Sequence, residues 1–418
     1  MAKLGTLAVV LGLVLFAAFF AGCAQKPAEK PAAEEKPEVK KMTIKGRVYT
    51  NGHGGHLSVT DIEIDPATKE VRVVAGPARL KAAGYGSEKA SHAVSLSRDG
   101  RILYWAPLDG TIAEIDLDAV GLTFEKTPWG KLKRFGTYIA KDVEWKELGG
   151  KEDALHCGSS LSPDGRLLYV SSIASGAVLV YDTEKHQKVD KIPVDAFLCT
   201  AEVTRDGKYL YAANMASGVL DKVNLKTGEV VKRVDLTPYK GYFIHIGEIE
   251  PMGRYLWQTA ANEFRQGKPY NIPVEGAAGI GEGYIIIYDT VRDEPVESIK
   301  VPGNPHDVTF TPRGRFAISS VRHPPSDPTS SAIVVLNAVD RELLRIKDVQ
   351  TGEVVKEFDV CNSCHRGIGA DLSKFVDPET KVLVNLGLLE HPETGIALHC
   401  GIDIAWYTEP GAGYGAGY

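Results

Sequence analysis

The sequence predicts an all-β fold, a seven-bladed β-propeller whose last blade is closed by an N-terminal strand. Three observations lead to this prediction: a strand-turn-strand template recurs five times, apolar residues alternate with a period of two, and the repeats are spaced by roughly 40 to 65 residues. Strand repeats of this length bury their faces against neighbouring repeats, as propeller blades do.

Each repeat opens with a short strand, a hairpin turn that contains glycine, and a second apolar strand. The five copies are SHAVSLSRDGRILYWAP, LHCGSSLSPDGRLLYVSS, FLCTAEVTRDGKYLYAAN, FIHIGEIEPMGRYLWQTA and NPHDVTFTPRGRFAISSV, with hairpin glycines Gly100, Gly165, Gly207, Gly253 and Gly314. A third strand such as AVLVYDT and a fourth such as EVVKRVDL follow. Each repeat therefore supplies the four strands of one blade.

Two weaker repeats would complete a ring of seven. GHLSVTDIEIDPATKEVRVVAG, after His56, would open the first blade, although its turn lacks the glycine. The last blade would contain RGIGADLSKF, KVLVNLG and GIDIAWYT, the last as its third strand, and MTIKGRVYT at 42–50 would be its fourth strand. A ring closed by both chain ends leaves no free sheet edge.

The N-terminal segment predicts export. The apolar run LAVVLGLVLFAAFFAGC has about the length of a signal-peptide core, and Ala21 and Gly22 before Cys23 resemble a bacterial lipobox. Lipidation of Cys23 would anchor the chain at the periplasmic or cell-surface face of a membrane. An ordinary cleaved secretory signal is the alternative, and it also exports the chain.

These features divide the chain into four segments. We expect a lipoprotein signal peptide over 1–22 and an extended tether of Pro, Ala, Glu and Lys over 23–41. The propeller with its CNSCH motif would span 42–410, and a Gly/Ala/Tyr tail 411–418.

Charge and cysteine content restrict the classes of function. The net charge of −6 argues against nucleic acid as a partner, because phosphate-binding surfaces are normally basic. Apart from Cys23, five cysteines remain, and an odd number does not indicate a disulfide framework; they are Cys157, Cys199, Cys361, Cys364 and Cys400.

Metal-ligand side chains collect at one end of the predicted disc. Equivalent positions, eight residues before the hairpin glycine, carry His92, Cys157, Cys199, His245 and His306. His156 lies nine residues before its glycine, so strand alternation would point it away from Cys157. We expect a ring of histidines at this mouth that could hold a second metal ion or a tetrapyrrole: His56, His92, His156, His245 and His306. The alternative for any single histidine is a hydrogen-bonded channel residue.

The motif CNSCH at 361–365 matches C-x-x-C-H, the sequence that attaches a c-type haem. Cys361 and Cys364 would form two thioether bonds and His365 would ligate the iron, giving one covalent haem c. No Met follows Met252, so the distal ligand would be a histidine, with His399 or His323 ahead of His306 and His56.

Two alternatives remain open for these cysteines. The residue types and spacing also suit a structural zinc or copper site, formed by Cys361, Cys364, His365, His399 and Cys400. The other alternative is a disulfide bond, either Cys361–Cys364 or Cys157–Cys400.

The repeats resemble a known family. SPDGRLLYVSS…GAVLVYDTEKHQKVDKIPV and TRDGKYLYAAN…VNLKTGEVVKRVDL resemble the YVTN β-propellers, over roughly residues 85–360. The histidines at the blade starts are similar to those of the haem-binding propeller of cytochrome cd-type nitrite reductase and its periplasmic maturation homologues, and of the histidine-bound copper propeller of nitrous oxide reductase. The resemblance implies a propeller that handles haem or metal, and it assigns no catalytic residue here.

Three functions follow as hypotheses. The first is a membrane-anchored extracytoplasmic c-type haem propeller that transfers electrons to or from a redox partner protein. The second is a periplasmic oxidoreductase, or a protein that handles tetrapyrroles or metals in nitrogen-oxide or haem-maturation chemistry, which uses the histidine-rich mouth. The third is an interaction propeller with a structural zinc or copper ion.

Overall fold

Antiparallel four-stranded sheets arranged around a central axis make up the described part of the computed structural model. The structure describes residues 43–51, 57–81, 91–107, 110–117, 123–126, 136–139, 145–149, 156–173, 175–195, 197–215, 217–241, 243–261, 271–273, 278–322, 324–326, 331–360, 382–384 and 403–408. The chain divides into two units, Met1–Lys40 and Lys41–Tyr418, and all described residues belong to the second. The all-β propeller prediction is confirmed.

Blades 1 to 3 follow the repeat template from the innermost strand outwards. Blade 1 contains Ser91–Leu96, Ile102–Pro107, Thr111–Asp116 and Trp145–Gly149. Blade 2 contains His156–Leu161, Leu167–Ser172, Ala177–Asp182 and Gln187–Pro193. Blade 3 contains Glu202–Val203, Tyr209–Asn214, Val219–Asn224 and Glu229–Asp235.

Blades 4 and 5 continue the pattern, and blade 6 closes the ring. Blade 4 contains Phe243–Ile249, Tyr255–Ala261, Ala278–Asp289 and Glu294–Pro302. Blade 5 contains Asn304–Phe310, Phe316–Arg322, Ser331–Asn337 and a fourth strand split into Glu342–Leu343 and Phe358–Asp359. Blade 6 contains Asp403–Thr408, Ile44–Asn51, Ser58–Asp65 and Glu70–Lys81. Short 3₁₀ turns occupy Thr237–Tyr239 and Pro312–Gly314.

The prediction of seven blades is wrong, because the described residues form six. Ile44–Asn51 pairs with Asp403–Thr408 on one side and with Ser58–Asp65 on the other. The two weak repeats are therefore one blade: the C-terminal strand is innermost and the N-terminal segment supplies the other three strands. Closure by both chain ends is confirmed, but GIDIAWYT is the first strand of this blade and not its third, and MTIKGRVYT is the second strand and not the fourth.

Two hairpins cover the outer edge of blade 6. Ile346–Asp348, paired with Val354–Val355, runs parallel to the first half of Glu70–Lys81. Gly136–Ile139, paired with Thr123–Lys126, runs parallel to its second half. Covering an exposed strand in this way removes an edge that could pair with another chain.

In blades 1 to 3, the hairpin turns between first and second strands are held by one repeated set of hydrogen bonds. In blade 1 the Ser97 hydroxyl donates to the Asp99 carboxylate at 2.6 Å and accepts from the Ile102 N–H at 2.8 Å. Ser162 and Asp164 do the same in blade 2, and Thr204 and Asp206 in blade 3. The following glycine has a φ of +70° in blade 1, which favours glycine. These turns are structural.

The apolar core lies between the blades. One cluster joins Val178 and Val180 of blade 2 to Val203 and Leu210 of blade 3. Further clusters join each of the other neighbouring pairs from blade 3 to blade 6. The innermost strands contact one another in a closed circle, so residues at equivalent positions meet near the axis. No helix in the described ranges is both long and apolar enough to cross a membrane.

Candidate functional site on the propeller axis

Five side chains at or just before the start of the innermost strands of blades 1 to 5 form a closed loop of contacts near the axis, which we name the sulfur–imidazole ring. Its members are His92, Cys157, Cys199, His245 and His306. Each lies eight residues before the hairpin glycine of its blade. All five side chains belong to residues that are at least nine-tenths buried. The repeat template thus brings one residue per blade to the same level of the axis.

Three kinds of contact make up this loop: two contacts between a sulfur and an imidazole nitrogen, one disulfide bond, and two contacts between imidazole rings. The Cys157 Sγ lies 3.8 Å from the His92 Nδ1, and the Cys199 Sγ lies 3.9 Å from the His245 Nδ1. A disulfide bond joins Cys157 to Cys199, with a Cα–Cα distance of 4.9 Å. The His306 ring closes the loop, with its centroid 4.0 Å from that of His245 and 5.0 Å from that of His92.

β-Bulges aim these side chains at the axis. The pairing of the innermost strand with the second strand shifts between Ser91 and Ala93 in blade 1, so that His92 is the extra residue. Shifts at the equivalent positions also bracket Cys157, Cys199, His245 and His306. A bulge leaves one residue out of the ladder and redirects its side chain, which plain strand alternation does not predict.

Arg322 fixes the hydrogen-bonding state of one imidazole. Its guanidinium nitrogen Nη2 lies 3.2 Å from the His245 Nε2, and the residue is 1 % exposed. Because a guanidinium only donates, the His245 Nε2 must accept, and the proton of the neutral ring lies on Nδ1. The Nδ1–H group of His245 therefore faces the Cys199 sulfur. The Phe243 ring packs edge-on against the same imidazole at 4.6 Å.

Hydroxyl groups from neighbouring blades hold the backbone of the ring. Ser171 of blade 2 donates to the Cys199 carbonyl at 2.9 Å, and Thr259 of blade 4 donates to the His306 carbonyl at 2.8 Å. The His245 carbonyl accepts from the Gln258 amide at 2.9 Å and from Thr200 of blade 3. These contacts are buried, so each replaces a hydrogen bond that water would otherwise provide.

Gly158 brings blades 2 and 3 together beside the disulfide. A Cβ atom at this position would overlap the Cys199 carbonyl oxygen and would touch the Ile246 side chain. The Gly158 N–H donates to the Ser171 hydroxyl oxygen at 2.8 Å. The absence of a side chain at 158 is therefore a condition for the close approach of Cys157 and Cys199.

Two glutamates lie three residues after members of the ring: Glu202 follows Cys199, and Glu248 follows His245. Glu202 and Glu248 each lie five residues before their hairpin glycines, and the Glu202 Oε1 accepts the N–H of Ile249 at 3.0 Å. Burial raises the pKa of Glu202 to about 7. Burial, followed by the negative charge of Glu202, also raises the pKa of Glu248. The Arg205 guanidinium, 4.0 Å from the Glu248 Oε1, opposes that shift.

The predicted site residues divide into those the structure brings together and those it does not describe. His92, His245 and His306 meet in the sulfur–imidazole ring, as the shared register predicts. His156 is fully buried and its backbone pairs with Ser172, so Cys157 holds the ring position of blade 2. The remaining candidates lie outside the described residues; they are Cys23, His56, His323, Cys361, Cys364, His365, His399 and Cys400.

One alternative for the cysteines is wrong. Cys157 is bonded to Cys199, so it cannot form the Cys157–Cys400 disulfide. Blades 2 and 3 are neighbours, and the register of both cysteines places their sulfur atoms at one level. The equal spacing to Gly165 and Gly207 was the signal in the sequence that could have identified this pair.

Described residues flank the segment 361–381, which contains CNSCH. Val360, the residue before Cys361, is buried, and its N–H donates to the Ser331 carbonyl at 3.0 Å. Ser331 pairs with Arg322, so Val360 lies at the end of blade 5 where the sulfur–imidazole ring lies. After the motif, Val382–Val384 pairs with Asn271–Pro273 of the connection that follows Ala261 in blade 4.

Three residues of the site, Glu202, Glu248 and Arg322, were not predicted from the sequence. The glutamates carry a positional signal, since they occupy equivalent places in two repeats. Arg322 ends a second strand of blade 5, and nothing in its local sequence indicates that it contacts His245 of the neighbouring blade 4. In the described ranges, no group of three or more His, Cys, Asp or Glu residues is arranged to hold a metal ion, and the two cysteines of the ring are joined in a disulfide.

Comparison with known proteins gives similarities of fold only. No protein-family model matches the chain, and no curated protein matches it. The Kuenenia stuttgartiensis hydrazine synthase structure is 18% identical, over 68% of this chain and 75% of that chain, with a TM-score of 0.39. The β-propeller domain of Myceliophteria thermophila Cps50 (Swd1) is 16% identical, over 74% of this chain and 85% of that chain, with a TM-score of 0.40. Assignment of the fold therefore rests on the strand pairing described above, and the resemblance to YVTN and nitrite reductase propellers stays a prediction.

Proposed function

We propose that this protein is an exported, membrane-anchored β-propeller that carries one c-type haem and transfers electrons. The observation that carries the proposal is the motif CNSCH, which begins directly after Val360 at the end of the disc that holds the sulfur–imidazole ring. Its donor set, two thiols and one imidazole, fits covalent attachment and axial ligation of a haem.

The residues that would hold the haem are named by the motif. Cys361 and Cys364 would form the thioether bonds and His365 would be the proximal ligand. The distal candidates are close in sequence to described strands: His323 directly follows Arg322, and His399 comes four residues before the strand Asp403–Thr408. A bound haem supplies one-electron chemistry at its iron, and two histidine ligands would favour electron transfer over substrate binding.

The remaining parts of the proposal concern location and partners. Cys23 would carry the lipid anchor, and residues 23–41 would tether the propeller at the extracytoplasmic face of the membrane. Its partner would be a redox protein, not a nucleic acid, because the net charge is −6.

The test is a pyridine haemochrome spectrum, with metal analysis, of the chain matured in a host that carries the c-type maturation system. We expect one covalent haem per chain, and none in Cys361→Ala/Cys364→Ala. The matched control is Cys157→Ala/Cys199→Ala, which removes two cysteines of the same protein and should keep the haem. His365→Ala should alter the iron spectrum without removing the thioether bonds.

Other outcomes would replace the proposal. Stoichiometric zinc or copper without haem, lost in Cys361→Ala/Cys364→Ala, would indicate an interaction propeller with a structural metal site. Haem together with an open sixth coordination position and turnover of a nitrogen oxide would indicate the redox enzyme of the second hypothesis. A chain without haem or metal would contradict the proposal outright.

A further inference from the structure

We propose that the sulfur–imidazole ring is a binding site for a thiophilic cation, Zn²⁺ or Cu⁺, that becomes available when the Cys157–Cys199 disulfide is reduced. The proposed ligands are the two thiolates and the Nδ1 atom of His92. This proposal does not depend on the haem, because none of its ligands belongs to the CNSCH motif.

The spacing of the His92 nitrogen and the Cys157 sulfur is close to that of two ligands of one metal ion. The distance from the Cys157 Sγ to the His92 Nδ1 is 3.8 Å. In a tetrahedral zinc site with Zn–S of about 2.3 Å and Zn–N of about 2.0 Å, the sulfur–nitrogen edge is about 3.5 Å. His92 and Cys157 are therefore already separated by almost the distance that two ligands of one ion would have.

Reduction of the disulfide would supply the two sulfur ligands. A dithiol reductant exchanges with the disulfide, so that it becomes a cyclic disulfide while Cys157 and Cys199 each gain one hydrogen as thiols. Binding of the ion then releases two protons and leaves two thiolates. The two backbones are 4.9 Å apart at Cα, so the separated sulfur atoms remain close enough to bind one ion. Thiolate ligands favour Zn²⁺ and Cu⁺ over Mg²⁺ or Ca²⁺.

His92 and His245 have different roles in the proposed site. Arg322 donates to the His245 Nε2, which places the ring proton on Nδ1, the atom that faces the Cys199 sulfur at 3.9 Å. A protonated Nδ1 cannot bind a cation, but it can donate a hydrogen bond to the Cys199 thiolate. His245 is therefore a positioning residue, and His92 is the imidazole ligand. Partners of this kind typically change metal affinity by about 10- to 100-fold.

The test uses Co²⁺ as the spectroscopic probe, on full-length chain with Cys361→Ser/Cys364→Ser, so that neither haem nor the motif thiols contribute. The chain is reduced with dithiothreitol, freed of reductant without oxygen, and titrated. We expect one Co²⁺ per reduced chain, with thiolate-to-cobalt charge-transfer bands and the visible bands of a tetrahedral ion. Zn²⁺ should displace the cobalt, and the oxidised chain should show no such bands.

Three variants in the same background test the individual roles. Cys157→Ser/Cys199→Ser should abolish the charge-transfer bands. His92→Ala should lose tetrahedral binding. His245→Ala should weaken binding by about 10- to 100-fold, while His245→Asn, which keeps an N–H close to the position of Nδ1, should recover most of the affinity.

Two results would overturn the proposal. One is a reduced chain with two titratable thiols and native circular dichroism that binds neither Co²⁺ nor Zn²⁺. The other is cobalt binding that persists in Cys157→Ser/Cys199→Ser. If that double variant does not fold, His92→Ala decides, because unchanged binding in His92→Ala contradicts the assigned ligand set. Neither result would bear on the proposed haem, which the pyridine haemochrome spectrum of the chain with an intact CNSCH motif tests separately.

Discussion

The axis of the propeller carries two layers of side chains that come from the same strands and differ in chemistry. The sulfur–imidazole ring is built of soft, neutral donors and lies at the bulges. Three residues further along lie two carboxyl groups, the buried Glu202 and the half-buried Glu248. The difference teaches that the blade template determines where a side chain points. The residue type then determines whether that position carries sulfur and nitrogen donors or a carboxyl group that can bind a proton.

The two layers are also held differently. Backbone carbonyls of the sulfur–imidazole ring accept hydrogen bonds from the hydroxyls of Ser171 and Thr259. Glu202 is held through its own side chain, by the Ile249 N–H. Substitutions near the ring should therefore act through packing and backbone position, whereas substitutions in the glutamate layer should act through ionisation.

The largest effect is expected from Gly158→Ala. The new methyl group would overlap the Cys199 carbonyl oxygen, so blades 2 and 3 must move apart beside the disulfide. We expect the free energy of unfolding to fall by about 3 kcal/mol in urea denaturation, the upper range for overpacking. Metal uptake after reduction should also weaken.

Gly228→Ala is the matched control for Gly158→Ala. Gly228 has a φ of +73° and no atom near its missing Cβ, so only backbone strain of about 1 kcal/mol is expected. Equal losses in the two variants would show that the close approach at Gly158 does not determine the geometry of the ring.

Glu202→Gln tests the glutamate layer through pH. Burial raises the pKa of Glu202 to about 7 in the folded state, from 4.5. The folded chain therefore keeps a proton that the unfolded chain has lost, and its stability should fall as the pH rises from about 4.5 through 7. We expect the wild type to lose about 2 kcal/mol between pH 5 and pH 8 through this group.

The glutamine variant should remove most of that pH dependence, since its Oε1 can still accept the Ile249 N–H. Urea denaturation at pH 5, 6, 7 and 8 measures the slope, with the exposed Glu353→Gln as the control that should keep it. A slope unchanged in Glu202→Gln would show that this carboxyl group is not held protonated by burial.

The smallest effect is expected from Thr259→Val. The change keeps the shape but leaves the carbonyls of Ile246 and His306 without the hydroxyl that donates to them at 2.7 and 2.8 Å. A loss of about 1 kcal/mol is expected. Thr183→Val, whose hydroxyl bonds carbonyls at an exposed turn, should cost less than about 0.5 kcal/mol, because water can replace it. A larger loss in Thr183→Val than in Thr259→Val would contradict the account of how the ring is held.

The sequence by itself determined the blade template and the level of each residue along the axis. Both depend on local spacing: a residue eight positions before a hairpin glycine, such as His92 or Cys157, lies at a fixed distance from a turn whose geometry the Ser, Asp and Gly residues dictate. The same local reasoning explains why five repeats were recognised as blades and why their histidines and cysteines were expected at one mouth.

Tertiary structure alone decided the blade count, the disulfide and the role of Arg322. The segment at 57–81 alternates equally well as inner or outer strands, and only its pairing with Ile44–Asn51 assigns it to the closing blade. Cys157 meets Cys199, and Arg322 meets His245, because consecutive blades pack side by side and bring together residues that are distant in sequence. The pattern within one repeat cannot specify such contacts, since each depends on the packing of two blades and on the positions of the bulges.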